Sequence, residues 1–331
     1  MPFPYYTGKP RTSRPGSAAD LPASRRAKHN DPAGYKPDKG LIDAVNVALL
    51  LGQPLLLTGE PGTGKTQLAY SLAWELGFET PLIFETKSTS AARDLFYSYD
   101  TLGRFHAAQT GEGSQRSLDY ITYNALGLAI LRSNRDSDVQ PYLPDKHTHG
   151  GQRRSVVLVD EIDKAPRDFP NDLLNEVESM YFKIPELGNV SIAAQEELRP
   201  ILIITSNSEK HLPDAFLRRC TYYNLPFPDK ERLEEIVVTR IGDFALKDGR
   251  LLSDALDLFS KLREPESGLR KRPATAELLG WLLTLRETGA NLDQPLSRHP
   301  ELTLSSLSAL VKSAEDQTVA AAIVRDWLKR G

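Results

Sequence analysis

Residues Gly59-Glu60-Pro61-Gly62-Thr63-Gly64-Lys65-Thr66 fit the spacing G-x-x-x-x-G-K-[ST], a pattern whose chemistry is phosphate binding. Glycines let successive backbone N–H groups turn inward around phosphate oxygens, and the helix that follows presents its positive end to them. In that arrangement Lys65 reaches the β- and γ-phosphates and the Thr66 hydroxyl ligates Mg²⁺. Glu60, Pro61, Thr63 and Gln67 complete the binding segment. Further along, the apolar run Val156-Val157-Leu158-Val159 ends in Asp160 and Glu161. A strand buried on both faces that ends in carboxylates delivers them to the carboxyl edge of a parallel sheet, where ligands of open sheets bind. There Asp160 suits the Mg²⁺ shell and Glu161 suits polarising an attacking water. Asp163 reads as a helix N-terminal carboxylate, with a supporting role at the metal as the alternative.

These residues need a scaffold, and the hydrophobic pattern supplies one. Leu41 to Leu51 has apolar residues at helical spacing and stops at Gly52; Pro54 to Thr58 is a short apolar strand; Thr66 to Leu76 is again amphipathic. Apolar runs at Leu82–Glu85, Val156–Val159, Ile201–Thr205 and Thr221–Leu225 alternate with helical or loop segments, which predicts a parallel sheet sandwiched by helices. After Pro228 the strand signals stop. Lys230–Ile241, Leu251–Leu262, Ala274–Leu285, Leu302–Val311 and Thr318–Leu328 each place apolar residues on one helical face, the pattern of a small all-α unit. The expected organisation is an extended, basic, proline-rich arm over 1–36, an α/β nucleotide-binding domain over 37–228 and a helical lid over 229–331. The fold class is an α/β P-loop NTPase sheet followed by an all-α lid.

Composition sets bounds on partners. The chain has 331 residues, 40% hydrophobic and 26% charged, which excludes collagenous, coiled-coil and wholly disordered classes. Lys plus Arg at 41 against Asp plus Glu at 44 leaves a net charge of -3, so bulk charge does not point to nucleic acid or to an anionic membrane. The single cysteine, Cys220, has no neighbouring His or second Cys and reads as a buried structural thiol. The start MPFPYYTGKP carries no basic-then-apolar leader, and no apolar run approaches the roughly 18 residues needed to cross a bilayer. A cytosolic location is the expectation.

With the two motifs in place, the chain resembles an AAA+ ATPase over about residues 35 to 290. Asp160-Glu161 has the paired-acid form typical of that superfamily, and Ile201 to Asn207 is similar to its sensor 1 strand. The resemblance implies ATP as the substrate with Mg²⁺, Asn207 as the residue that positions water near the γ-phosphate, and an arginine finger at Leu212 to Cys220. Arg219 is the first choice for that finger and Arg218 the second. It also implies a sensor 2 arginine before an amphipathic helix, for which Arg272 fits best, since Pro273 can open a helix. Within the superfamily the likeness is to the MoxR family, carried by Leu212-Pro213-Asp214-Ala215, by the helix over 172–178 and by the hairpin-like segment 181–198. Members commonly have Asp-Arg-Phe at the finger and Ser-x-Arg at sensor 2, where this chain has Arg218-Arg219-Cys220 and Arg270-Lys271-Arg272; the 142–154 segment also lengthens the stretch before Asp160. A divergent member is the reading. It implies a ring, commonly a hexamer, that remodels a protein client with chaperone-like effect, often with a separate von Willebrand factor A protein.

Other readings are weaker. His147, His149 and Asp145 lack a fourth metal ligand at the usual spacing and read as a polar loop. No Asn-Lys-x-Asp motif supports guanine binding. A clamp-loader-like DNA-processing ATPase is favoured by Arg219-Cys220 and opposed by the acidic balance and the lack of a zinc-binding cysteine set. A nucleotide-gated adaptor with little turnover is opposed by the intact Glu161 and Asn207.

Overall fold

The computed structural model describes residues 31–111, 113–114, 116–145, 147–208, 212–242 and 250–330. Most of the proline-rich arm therefore lies outside the described residues. The chain divides into two compact units, one over 35–226 and one that joins 227–330 to residues 31–34.

In the first unit, β1 (Leu55–Thr58), β2 (Leu82–Glu85), β5 (Val156–Asp160), β8 (Ile201–Thr205) and β9 (Thr221–Asn224) form one sheet in the order β2-β5-β8-β1-β9. All four pairings are parallel. Leu55, Leu56 and Leu57, like Val156 to Val159, are buried, as expected for parallel strands covered on both faces. One face packs against the helices Lys39–Leu51 and Lys65–Glu75 through Leu41, Val45, Leu68, Leu72 and their neighbours. The other face meets the helix Ala125–Ser133 and a larger apolar cluster. The first of these helices begins at Asp38, whose carboxylate accepts from Leu41 N, and stops at Gly52 in the left-handed conformation, the N-cap and glycine C-cap expected of it.

Two antiparallel hairpins stand beside the sheet. β6 (Tyr181–Ile184) pairs β7 (Val190–Ala193) inside the segment read as hairpin-like. β3 (Tyr97–Tyr99) and β4 (Ile121–Tyr123) form a second pair around the helix Thr101–Thr110, which the strand signals did not reveal. The hairpins meet at Phe182, whose ring stacks on Phe96 at 5.4 Å and contacts Tyr97 and Tyr123.

The second unit is helical, with a core that includes Val237, Leu256, Phe259, Leu278, Trp281 and Val324. Two expected continuous helices are each broken. The pattern over Leu302–Val311 yields Pro300–Ser305 and Leu307–Leu310, because Ser306 leaves helical geometry and its hydroxyl accepts from Trp281 Nε1 at 2.9 Å. In the first unit the run over 172–178 likewise divides into Phe169–Asp172 and Leu174–Ser179. The end of the expected arm is not extended: Pro32–Gly34 makes a 3-10 turn, and Arg240 Nη1 donates to Asp31 O at 2.6 Å.

Candidate active site

The register of the sheet brings the chemistry-bearing residues together. β8 lies between β5 and β1, with Ile204 opposite Val159 and Thr205 opposite Leu57. The carboxyl ends of these strands therefore deliver Asp160, Thr205 and the start of the phosphate loop to one edge. Gly59 leaves β1 with φ +142°, and a Cβ there would fall 2.5 Å from Leu225 O. Only glycine fits so close to the neighbouring strand in that conformation.

Lys65 opens the helix Lys65–Glu75 behind Gly64, which is left-handed at φ +96°. Its ammonium is buried and donates to Gly59 O at 2.8 Å, Glu60 O at 2.9 Å and Asn207 Oδ1 at 3.1 Å. Burial lowers the Lys65 pKa below the ordinary lysine value, with Asp163, Asp160, Glu161 and Glu60 pulling the other way. Thr66 Oγ1 donates to Asp160, 3.1 Å from Oδ1 and 3.3 Å from Oδ2. A hydroxyl and a carboxylate on the same spot are hard oxygen donors, the set Mg²⁺ takes alongside water and phosphate oxygens.

Glu161 has φ 54° and ψ 54°, a left-handed backbone that is uncommon for a residue with a side chain. Its N–H donates to Thr205 Oγ1 at 2.9 Å, and the Thr205 hydroxyl donates to Asp160 Oδ1 at 2.6 Å. Its carboxylate accepts from Asn207 Nδ2 at 3.3 Å and pairs with the Lys164 ammonium. Asn207 thus links Lys65 to Glu161 through the two ends of one amide. The turn that holds it is tied down by Asp163, whose Oδ1 accepts from Asn207 N at 3.0 Å and Ser206 Oγ at 3.2 Å. Asp163 therefore does more than the helix-end carboxylate expected of it. Thr205 is a residue the pattern reading passed over, since a β-branched residue at the end of an apolar run looks like one more strand former.

The two candidate finger arginines differ. Arg219 Nε pairs with Glu178 Oε2 at 2.7 Å and its Nη1 donates to Ala215 O at 3.0 Å, so it has work within its own chain. Arg218, which follows the short helix Asp214–Leu217, is exposed and has no side-chain partner among the described residues. Cys220 packs against the larger core cluster, and burial pushes its thiol up to about 12. Arg272 is exposed on the 268–274 loop of the helical unit. The following helix does not open at Pro273. It starts at Thr275, and Glu277 accepts from Ala274 N at 3.1 Å. Arg270 N and Lys271 N donate to the Asp316 carboxylate.

His149, expected in a polar loop, is buried, with Nε2 at 2.9 Å from Leu131 O, while Asp145 pairs with Arg116. Among the described residues no group of three or more His, Cys, Asp or Glu side chains is gathered to hold a metal, and no helix is long and apolar enough to cross a membrane.

Residues 54–220, half of the chain, match the AAA domain (dynein-related subfamily), and the chain belongs to that family. The match contains the phosphate loop, Asp160, Glu161, Asn207, Arg218 and Arg219, and stops short of Arg272. The architecture is that of a P-loop AAA+ fold with a C-terminal helical region. Among solved structures, two point mutants of RuvB from Thermotoga maritima are similar, both at 18% identity over 84% of this chain; coverage of their own chains is 70% and 69%, with TM-scores of 0.46 and 0.43. No curated protein matches the chain.

Proposed function

We propose that the protein hydrolyses ATP at the edge where β1, β5 and β8 end. The observation that carries this reading is the linkage of Lys65, Asn207 and Glu161 beside the Thr66–Asp160 pair. The loop N–H groups and the Lys65 ammonium bind the β- and γ-phosphates and neutralise charge that builds on them. Thr66 and Asp160 would hold Mg²⁺, which supplies further neutralisation of the phosphate oxygens when bound. Glu161 accepts the proton of the attacking water as its oxygen bonds to the γ-phosphorus and the bond to the β-phosphate oxygen breaks. Asn207 orients that water and the Glu161 carboxylate together.

Phosphoryl transfer also gains from a cation brought in by a neighbouring subunit, worth about 10³ to 10⁵ in rate. Arg218 takes that role in preference to Arg219, because Arg219 is engaged by Glu178. Such a finger requires an oligomer, and a ring, commonly a hexamer in the MoxR family that this chain resembles, satisfies it. The work done is remodelling of a protein client, with a separate von Willebrand factor A protein as a candidate partner. Arg272 serves as the sensor of the γ-phosphate on the helical unit, making that unit's position depend on which nucleotide is bound.

The test is a titration with a fluorescent ATP analogue and a parallel assay of phosphate release. Lys65→Ala should abolish binding. Equal binding by Lys65→Ala and the unsubstituted protein would exclude the site.

A further inference from the structure

We propose that Thr205 is a positioning residue for ATP hydrolysis, its one hydroxyl setting both Asp160 and Glu161 in their working places. This rests on the reading of the site as an ATPase centre. Thr205 is completely buried at the end of β8. Glu161 N–H donates to Oγ1, so the hydroxyl proton is left to point at Asp160 Oδ1, 2.6 Å away. Asp160 Oδ1 is thereby fixed, and the carboxylate plane that Thr66 approaches is fixed with it. Outer hydrogen-bond partners of this kind orient metal-ligating carboxylates and strengthen them as ligands.

The second consequence concerns the backbone. At Asp160 the strand β5 still follows the ladder, its carbonyl accepting from Thr86 N at 3.2 Å. One residue later the N–H leaves the ladder for the Thr205 side chain, and Glu161 turns left-handed. In a continuing strand, successive side chains point to opposite faces, so an extended Glu161 would send its carboxylate away from its present direction. The left-handed turn instead leaves it within reach of Asn207 Nδ2. A non-glycine residue adopts this conformation only where its surroundings hold it, and the Thr205 hydroxyl is a partner that would be lost in an extended Glu161. One oxygen therefore couples the metal-side carboxylate to the base.

The experiment compares Thr205→Val, Thr205→Ser, Glu161→Gln and the Thr205→Val/Glu161→Gln pair in the full chain. It measures kcat, KM for ATP, the Mg²⁺ concentration for half-maximal turnover, affinity for a fluorescent ATP analogue and thermal unfolding. Valine keeps the shape and removes both hydrogen bonds; it should lower kcat about 10- to 100-fold and raise the Mg²⁺ requirement. Analogue affinity without Mg²⁺ should stay within about threefold, because Lys65 and the loop are untouched. Serine keeps the hydroxyl and should restore turnover to within a few-fold. In the Glu161→Gln background, valine should cost little further turnover, as expected for residues that act as a unit. A folded Thr205→Val with kcat within about threefold of the parent, or a serine variant as slow as the valine one, overturns the proposal. If valine does not fold, Thr205→Ala takes its place; if both fail to fold while serine folds, the hydroxyl serves stability and the proposal falls. Failure of the underlying ATPase reading looks different: Glu161→Gln would then turn over as fast as the parent.

Discussion

Thr66 and Asp160 stand 94 positions apart in the chain, and the Thr66 hydroxyl donates to the Asp160 carboxylate at 3.1 Å. The first residue belongs to the helix after β1 and the second to the end of β5, two strands separated in the sheet by β8. Their meeting is a product of the sheet order alone. Removing either oxygen should weaken the hold on Mg²⁺ without emptying the phosphate loop. Thr66→Ala is expected to raise the Mg²⁺ concentration for half-maximal turnover by at least about tenfold, read from Mg²⁺ titrations of phosphate release at saturating ATP. An unchanged requirement would remove Thr66 from the metal shell.

The buried Lys65 gives a pH dependence with opposite signs for binding and folding. Its pKa is lowered from the ordinary 10.5, first by burial, so the ammonium is lost at a lower pH than an exposed lysine would lose it. Affinity for ATP should therefore decline as pH rises into a range below 10.5. Fold stability behaves the other way. Between the folded value and 10.5 the unfolded chain holds more protons, so this residue's contribution improves as pH rises and is lost as pH falls through the folded value. Isothermal titration across alkaline pH checks the first statement, and denaturant unfolding of Lys65→Met beside the parent checks the second.

Arg218, not Arg219, is expected to act across a subunit boundary. Arg218→Ala should reduce turnover by at least about 10³-fold and leave nucleotide binding intact. Arg219→Ala should leave turnover near the parent's, since it loses an ion pair with a half-exposed Glu178, worth about 0–1 kcal/mol, and a hydrogen bond to Ala215 O within its own chain. Mixing Arg218→Ala with Glu161→Gln subunits should recover activity, because some interfaces then join an intact base to an intact finger. No recovery on mixing, with both variants oligomeric by light scattering, would place the arginine's role inside its own subunit.

Much of this site is written in contiguous residues. The phosphate loop needs its glycines close together in the chain, and the strands β2 and β8 appear in the chain as the same apolar runs that the sheet contains. What the chain does not display are features made by distant partners. The left-handed Glu161 gives its N–H to a threonine 44 positions away, and Arg219 pairs with a glutamate 41 positions earlier. Three-residue strands such as β3 and β4 are too short to show an alternation, so their pairing across an intervening helix leaves no period to read. The break at Ser306 is likewise invisible to helical spacing, which Leu302 to Val311 satisfies on both sides of it.

Gly59 should tolerate no side chain. A Cβ there would sit 2.5 Å from Leu225 O, and φ +142° is strained for any other residue. Gly59→Ala is expected to destabilise the protein by about 1–3 kcal/mol from backbone strain and to weaken ATP binding, since the loop must move away from β9 to make room. Chemical denaturation and analogue titration of the same variant report the two effects. Parental stability with parental affinity would show that the strand contact does not shape the loop.

Glu161→Gln tests the assignment of the site most directly. The substitution keeps the size of the side chain and an oxygen for Asn207 Nδ2, and it removes the carboxylate that accepts a proton from water. Analogue affinity and single-turnover phosphate release should be measured on one preparation. The expected result is binding like the parent's with turnover reduced about 10²- to 10⁴-fold. Binding and turnover both equal to the parent's would contradict the role of Glu161 as the base and, with it, the site as an ATP-hydrolysing centre.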